Sequence, residues 1–399
     1  MKISQKASNA IFIGLLCSIS YLSVYFARNV LSTVSPQLLE KGVATESLLG
    51  KLSSVYFISY AFGQLINGII GDKIKARYML SLGLLFAGGT NLLFPYVLKY
   101  TLGAIVVYAA TGFFLSMIYA PMTKIVAENT EPIHATRCSL GYTFAEFLGS
   151  PMAGLLATVV VWQTSFKISS VFLSAMAISC FTCFLLMEKH GVIRYNRFER
   201  EKTSGNPIKI LLKRNILKFS LIAIITGVVR TAVVFWMPTY IAQHLNFSTK
   251  ESALIFTIAS LVMAATAFIA IFIYERLKHN MNITILLMFI SASLFFLATY
   301  FISQPIANII CLVLAVMSSN GAATMLWSRY CPSLRDTGMV SSATGFLDFL
   351  SYMGAAASSS LFANAVTSLG WGNLILIWMG FMVLGILVAL PYKRLFHKE

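Results

Sequence analysis

Four ionisable residues stand where a long apolar sequence normally excludes charge. Arg28 lies in VYFARNVLSTVSP and Arg230 in VVRTAVVFWMP; Glu146 lies in AEFLG and Asp348 in LDFLS. A charged side chain at membrane depth costs about 2.5 kcal/mol or more, so such residues mark binding sites and pathways. A guanidinium is always protonated, and its forked donors fit a phosphate or carboxylate two bonds at a time. A carboxylate can neutralise that charge or, released in a dry cavity, take up a proton because desolvation disfavours its ionised form. The candidate chemistry is anion binding by Arg28 and Arg230, with Glu146 and Asp348 as ion-pair partners or proton carriers. The plainer alternative is that all four form structural ion pairs, since buried charges are normally paired.

The spacing ties the four together. Arg28 and Arg230 are 202 residues apart, as are Glu146 and Asp348, and as are Pro36 and Pro238, so R-x7-P recurs. Asp72-Lys73 is echoed by Glu275-Arg276 at an offset of 203. These are the marks of two parallel repeats related by an axis along the membrane normal, a plan that holds substrate near the midplane between repeats. Tyr25 and Tyr21 precede Arg28 by three and seven residues, which puts them on its helix face as further binding candidates or as ordinary packing. Tyr60 is a third candidate, midway along the second span. In GIIGDKIKAR, Asp72 can cap a neighbouring helix or pair with a base such as Lys124, making Asp72, Lys73 and Lys124 a candidate cytoplasmic gate. A solvated loop is the alternative.

The elements that must position these residues follow from composition. The chain has 399 residues, 58% hydrophobic and 11% charged, with a mean hydropathy of +0.78, against about 25% charged in soluble domains. It reads as an all-α, multi-pass membrane protein. Windows of about 20 apolar residues, each able to cross the bilayer as a helix, recur twelve times. The first six are 10–38, 52–71, 78–98, 101–124, 138–162 and 166–187. The second six are 216–243, 252–274, 282–302, 305–328, 338–366 and 370–391. The expected organisation is a six-helix half over 1–187, a cytoplasmic linker over 188–215, and a second six-helix half over 216–399.

The net charge of +16 does not point to nucleic acid. Five lysines (Lys41, Lys51, Lys99, Lys167 and Lys250) fall in outer loops. Apart from Arg28 and Arg230, the other Lys and Arg fall in cytoplasmic segments, an asymmetry that places both termini inside. The first 20 residues imitate a signal peptide without a small-residue cleavage site, and are expected to stay as the first span. Cys180 and Cys183 form C-x-x-C within an apolar helix, without metal-ligand company. No P-loop, metalloprotease or nucleophile-elbow motif is present, and none of the five histidines lies mid-span. No enzyme activity, metal or cofactor is expected.

The twelve-span, two-repeat plan with G-x3-D-K after the second span resembles the major facilitator superfamily. YFARNVLSTVSPQLLEKG, VVRTAVVFWMPTYI and GFLDFLSYMG resemble, more narrowly, the organophosphate:phosphate antiporters, which carry glycerol phosphate and sugar phosphates. The resemblance implies that Arg28 and Arg230 hold phosphate, that Tyr21, Tyr25, Tyr60 and Tyr352 line the site, and that the halves rock to give alternating access. Three positions depart from the family pattern: Asn29 and Gln64 stand where glycerol-3-phosphate transporters have Lys, and Glu146 where they have His. The expectation is a monomeric transporter in the cell membrane, moving a small anionic metabolite, most simply an organic phosphate, with phosphate or protons as coupling species. A transporter-like sensor of sugar phosphate and a proton-coupled transporter of an uncharged or zwitterionic compound remain alternatives.

Overall fold

The computed structural model describes residues 5–71, 74–195, 211–334 and 340–390, and every regular element among them is helical. Helices α1 (Gln5–Glu40), α2 (Glu46–Gly71) and α3 (Ala76–Val97) open the chain. The fourth expected span is split into α4 (Thr101–Leu115) and α5 (Tyr119–Asn129). Helices α6 (Pro132–Val159) and α7 (Trp162–Lys189) cover the last two spans expected in the first half.

Next come α8 (Ile216–Gly227), a π-helical segment Val228–Val233, and α9 (Val234–Gln243). Helices α10 (Thr249–Met263) and α11 (Thr266–Arg276) follow, then α12 (Met281–Phe301) and α13 (Pro305–Met325). Helix α13 runs into a second π segment, Leu326–Tyr330. Helix α14 (Val340–Ala389) is interrupted at Gly370, whose φ of 77° lies in the left-handed region. Only a residue without Cβ takes that conformation cheaply, so the last two expected spans meet there.

Among the described residues, nine helical stretches are long and apolar enough to cross a membrane. The last of them, Ala343–Ala389, holds the break at Gly370. Large apolar side chains cover the outside, with Leu102 74% and Phe301 71% exposed. Water would penalise such a surface; hydrocarbon does not.

By internal contacts the chain divides into two compact units, Met1–Glu201 with Phe247–Leu261, and Lys202–Asn246 with Val262–Glu399. In the first unit α1 lies along α6, where Gln37 Nε2 donates to Ala157 O at 2.9 Å. The split between α4 and α5 also has a local cause. Ser116 Oγ turns back to donate to Phe113 O at 2.6 Å and accepts from Asn67 Nδ2 of α2 at 2.8 Å. A hydroxyl bonded to its own helix's carbonyl competes with the backbone ladder and helps end it.

Candidate functional site

In the first unit, α1 carries Arg28 half-buried among aromatic faces. Its Cζ lies 5.2 Å from the Tyr25 ring centroid, 5.3 Å from Phe57 and 5.5 Å from Tyr60. Tyr25 lies one turn before Arg28 on the same helix; Phe57 and Tyr60 are three apart on α2 and share its face. A guanidinium over ring faces gains about 0.5–2 kcal/mol per good contact. Tyr25 Oη donates to Glu146 Oε1 at 2.8 Å, so one tyrosine touches both the arginine and the acid.

That approach requires α1 and α6 to cross closely. A Cβ on Gly149 would lie 2.5 Å from Tyr25 Cβ and 2.7 Å from its carbonyl carbon. The Asn29 amide donates to Tyr25 O at 2.7 Å, within its own helix.

Further rings gather beside Glu146. Tyr21 sits 5.0 Å from Tyr25, 5.5 Å from Tyr119 of α5 and 6.5 Å from Tyr142 of α6. Tyr60 is 1% exposed and stacks on Tyr56 at 6.1 Å. The structure thus brings the sequence-predicted Tyr21, Tyr25, Tyr60, Arg28 and Glu146 into one neighbourhood. It adds Phe57, Tyr119 and Tyr142. Two of these carry a signal in the sequence: Phe57 is three residues before Tyr60, and Tyr142 four before Glu146. Tyr119 carries none, because only the split of the fourth span brings it there.

In the second unit Arg230 lies in the π segment, with Nη2 3.6 Å from Asp348 Oδ1 and Cζ 5.6 Å from the Tyr352 ring. Asp348 and Tyr352 are one turn apart on α14 and present one face to the guanidinium. The closeness again rests on a glycine, for a Cβ on Gly227 would collide with the Ser351 backbone oxygen. A π turn widens the helix locally and is frequent at functional sites.

Asp72 and Lys73 lie outside the described residues, so the gate expected there is not described; Lys124 is half-buried on α5. The charged contacts at this end that sequence reading missed belong to Glu188, at the end of α7, which pairs with both Lys75 and Arg77 at the start of α3. Tyr195 stands beside them, with the Lys75 ammonium 5.5 Å from its ring centroid. Burial, then the Glu188 charge, pushes the Tyr195 phenol up to about 12. Arg194 N donates to Asn129 Oδ1 at 2.7 Å, tying the chain after α7 to α5. Cys180 is buried, its Sγ 2.9 Å from Ser20 Oγ, and no three metal-ligating side chains converge among the described residues.

Helices clad in apolar side chains, with an arginine, an acid and at least one tyrosine grouped within the spans of each unit, mark a multi-pass membrane protein. The Major Facilitator Superfamily model matches residues 17–359, and the chain belongs to that family. It is 32% identical over 78 residues to the membrane sensor protein UhpC of Salmonella typhimurium, a match covering 20% of this chain and 18% of the sensor. It is 22% identical to the glucose-6-phosphate exchanger SLC37A2 of Xenopus laevis, covering 89% of this chain and 81% of the exchanger. In fold it is similar to a bacterial homologue of the human lysosomal transporter Spinster in an inward-facing, occupied conformation. There the TM-score is 0.77 at 12% identity, over 100% of this chain and 99% of that one.

Proposed function

We propose that the chain carries a small organic phosphate across the cell membrane, with both termini in the cytoplasm, by exchange for phosphate or coupling to protons. The observation that carries this reading is the grouping, in each unit, of one guanidinium with a carboxylate and tyrosine at mid-span. In the first unit Tyr25 links Arg28 to Glu146; in the second Arg230 meets Asp348 and Tyr352. Forked donors held against aromatic faces are pre-oriented for a tetrahedral oxyanion, so less side-chain freedom is lost on binding. The similarity to a glucose-6-phosphate exchanger over most of both chains supports an organic phosphate as the cargo. Binding transmitted as a signal is the second reading, favoured by the match to a membrane sensor.

The test is counterflow. Full-length protein in proteoliposomes loaded with inorganic phosphate is expected to take up radiolabelled glycerol phosphate or a hexose phosphate, and Arg28→Lys to lower that uptake roughly 100-fold. Saturable binding without uptake would select the sensor; uptake indifferent to phosphate on either side would reject phosphate exchange.

A further inference from the structure

The first unit holds more recognition chemistry than an oxyanion needs. Glu146 is bonded to Tyr25 at 2.8 Å, and the same Tyr25 ring stands 5.2 Å from the Arg28 guanidinium. Tyr21, Tyr119 and Tyr142 complete a group of four tyrosines drawn from α1, α5 and α6. Tyr142 is 4% exposed, and its Oη is buried with no hydrogen-bond partner among the described residues. It lies one turn before Glu146 on α6, on the same helix face. The group is not sealed, since Tyr119 is 40% exposed and Glu146 half-buried.

A carboxylate bonded to one tyrosine of a tyrosine cluster makes a receptor for an ammonium group. The charge sum points the same way. Arg28 and Glu146 cancel, so a bare phosphate would bring uncompensated negative charge to a half-buried place, whereas a ligand with its own cation would not. Neutralising Arg28 requires only the acid, and the second repeat shows that simpler form. The positions 202 residues beyond Tyr21, Tyr25, Tyr119 and Tyr142 are Ala223, Gly227, Gly321 and Thr344, while the acid persists as Asp348.

We propose that Glu146 with Tyr21, Tyr25, Tyr119 and Tyr142 forms a subsite for a primary ammonium, and that the cargo is a zwitterionic aminoalkyl phosphate. Arg28 takes the phosphate and Glu146 the ammonium, on either side of Tyr25. This rests on the organic-phosphate reading and adds the substrate's second group.

Counterflow in proteoliposomes loaded with inorganic phosphate tests it, comparing O-phosphoethanolamine with ethyl phosphate, which lacks the amine. The expected result is half-saturation by O-phosphoethanolamine at about tenfold lower concentration, the scale of one desolvated cation contact. Glu146→Gln, which keeps an oxygen for Tyr25, is expected to bring that ratio close to one. Ligand-induced thermal stabilisation in detergent gives the same ratio if a variant binds but does not transport, and Tyr142→Phe provides a second variant that keeps the ring. Equal handling of the two phosphates by the unaltered protein, or a ratio unchanged in Glu146→Gln, overturns the ammonium subsite and leaves the organic-phosphate reading standing. Failure to bind any phosphate compound overturns both.

Discussion

Both repeats cross an arginine-bearing helix over an acid-bearing helix, but the glycine that allows the crossing sits on opposite partners. In the first unit it is Gly149, on the acid's helix, against Tyr25 on the arginine's helix. In the second unit the position 202 beyond Tyr25 is Gly227, and the position 202 beyond Gly149 is Ser351, which Gly227 faces. The tyrosine changes sides too. Tyr25 comes from the arginine's helix and stands between Arg28 and Glu146; Tyr352 comes from the acid's helix, and Arg230 reaches Asp348 within 3.6 Å. The backbone differs as well: Arg28 lies in uninterrupted α-helix, Arg230 in a π turn. The offset of 202 holds at both Arg230 and Pro238, so the π turn is a change of hydrogen bonding without an inserted residue. A duplicated charge pattern has thus been wired in two ways.

The largest expected effect breaks the clamp. Arg28→Lys should lower uptake of an organic phosphate roughly 100-fold, since Lys loses the fork that a planar guanidinium offers. Arg230→Lys should cost less, roughly 10-fold, because a point charge still attracts Asp348. Uptake kinetics at matched expression check both, and equal losses would erase the functional difference between the units.

Next come the crossings. Gly149→Ala and Gly227→Ala each force a Cβ onto backbone atoms, and each should cost about 1–3 kcal/mol, read as a lower melting temperature in detergent. A variant that melts unchanged would show that its crossing is looser than described.

Tyr25→Phe and Tyr352→Phe separate the two wirings. Tyr25→Phe removes a hydrogen bond to a carboxylate, worth about 1.5–3 kcal/mol, and should weaken substrate binding 10-fold or more. Tyr352→Phe keeps the ring face toward Arg230 and should stay within about 1 kcal/mol. Titration calorimetry on the same ligand compares them; a larger loss in Tyr352→Phe would reverse the assignment.

Much of this was legible in the sequence because charge in an apolar span is conspicuous and a repeat exposes its partner. Arg28, Arg230, Glu146, Asp348 and the i−3 tyrosine Tyr25 follow from spacing alone. Tyr119 was not legible, because it follows the split between α4 and α5, where Ser116 bonds back to the Phe113 carbonyl. The π turns were not legible either, since VVRTAV carries no signal against α-helix. Glu188 escaped notice because an acid at a helix end reads as solvated, and its two partners lie more than a hundred residues away in sequence. Asparagine and glutamine in place of family lysines were visible; that Asn29 bonds back into its own helix was not.

The smallest effects belong to the helix ends around Glu188 and Tyr330, where the units differ again. The first is held by Glu188 against Lys75 and Arg77, the second by Tyr330, whose hydroxyl donates to Arg214 O at 3.0 Å and whose ring stacks on Phe219. Lys75 is 47% exposed and Arg77 12%, so solvent screens much of the ion pairing, and Glu188→Gln should cost about 1 kcal/mol. Tyr330→Phe loses one neutral hydrogen bond, about 0.5–1.5 kcal/mol, but keeps the stack. Glu188→Gln has a further signature at Tyr195. A phenol raised from its usual value near 10 to about 12 holds its proton more tightly in the folded state. The stability it contributes is complete below pH 10 and is lost as pH rises toward 12. Removing the Glu188 charge leaves burial, with a smaller push from Tyr78, against the lowering effect of Arg77, so the Tyr195 titration should move down within that window. Tyrosinate absorbance, taken as the difference between each protein and its Tyr195→Phe counterpart, reads that shift. A titration that did not move would mean that the Glu188 charge does not hold the phenol up.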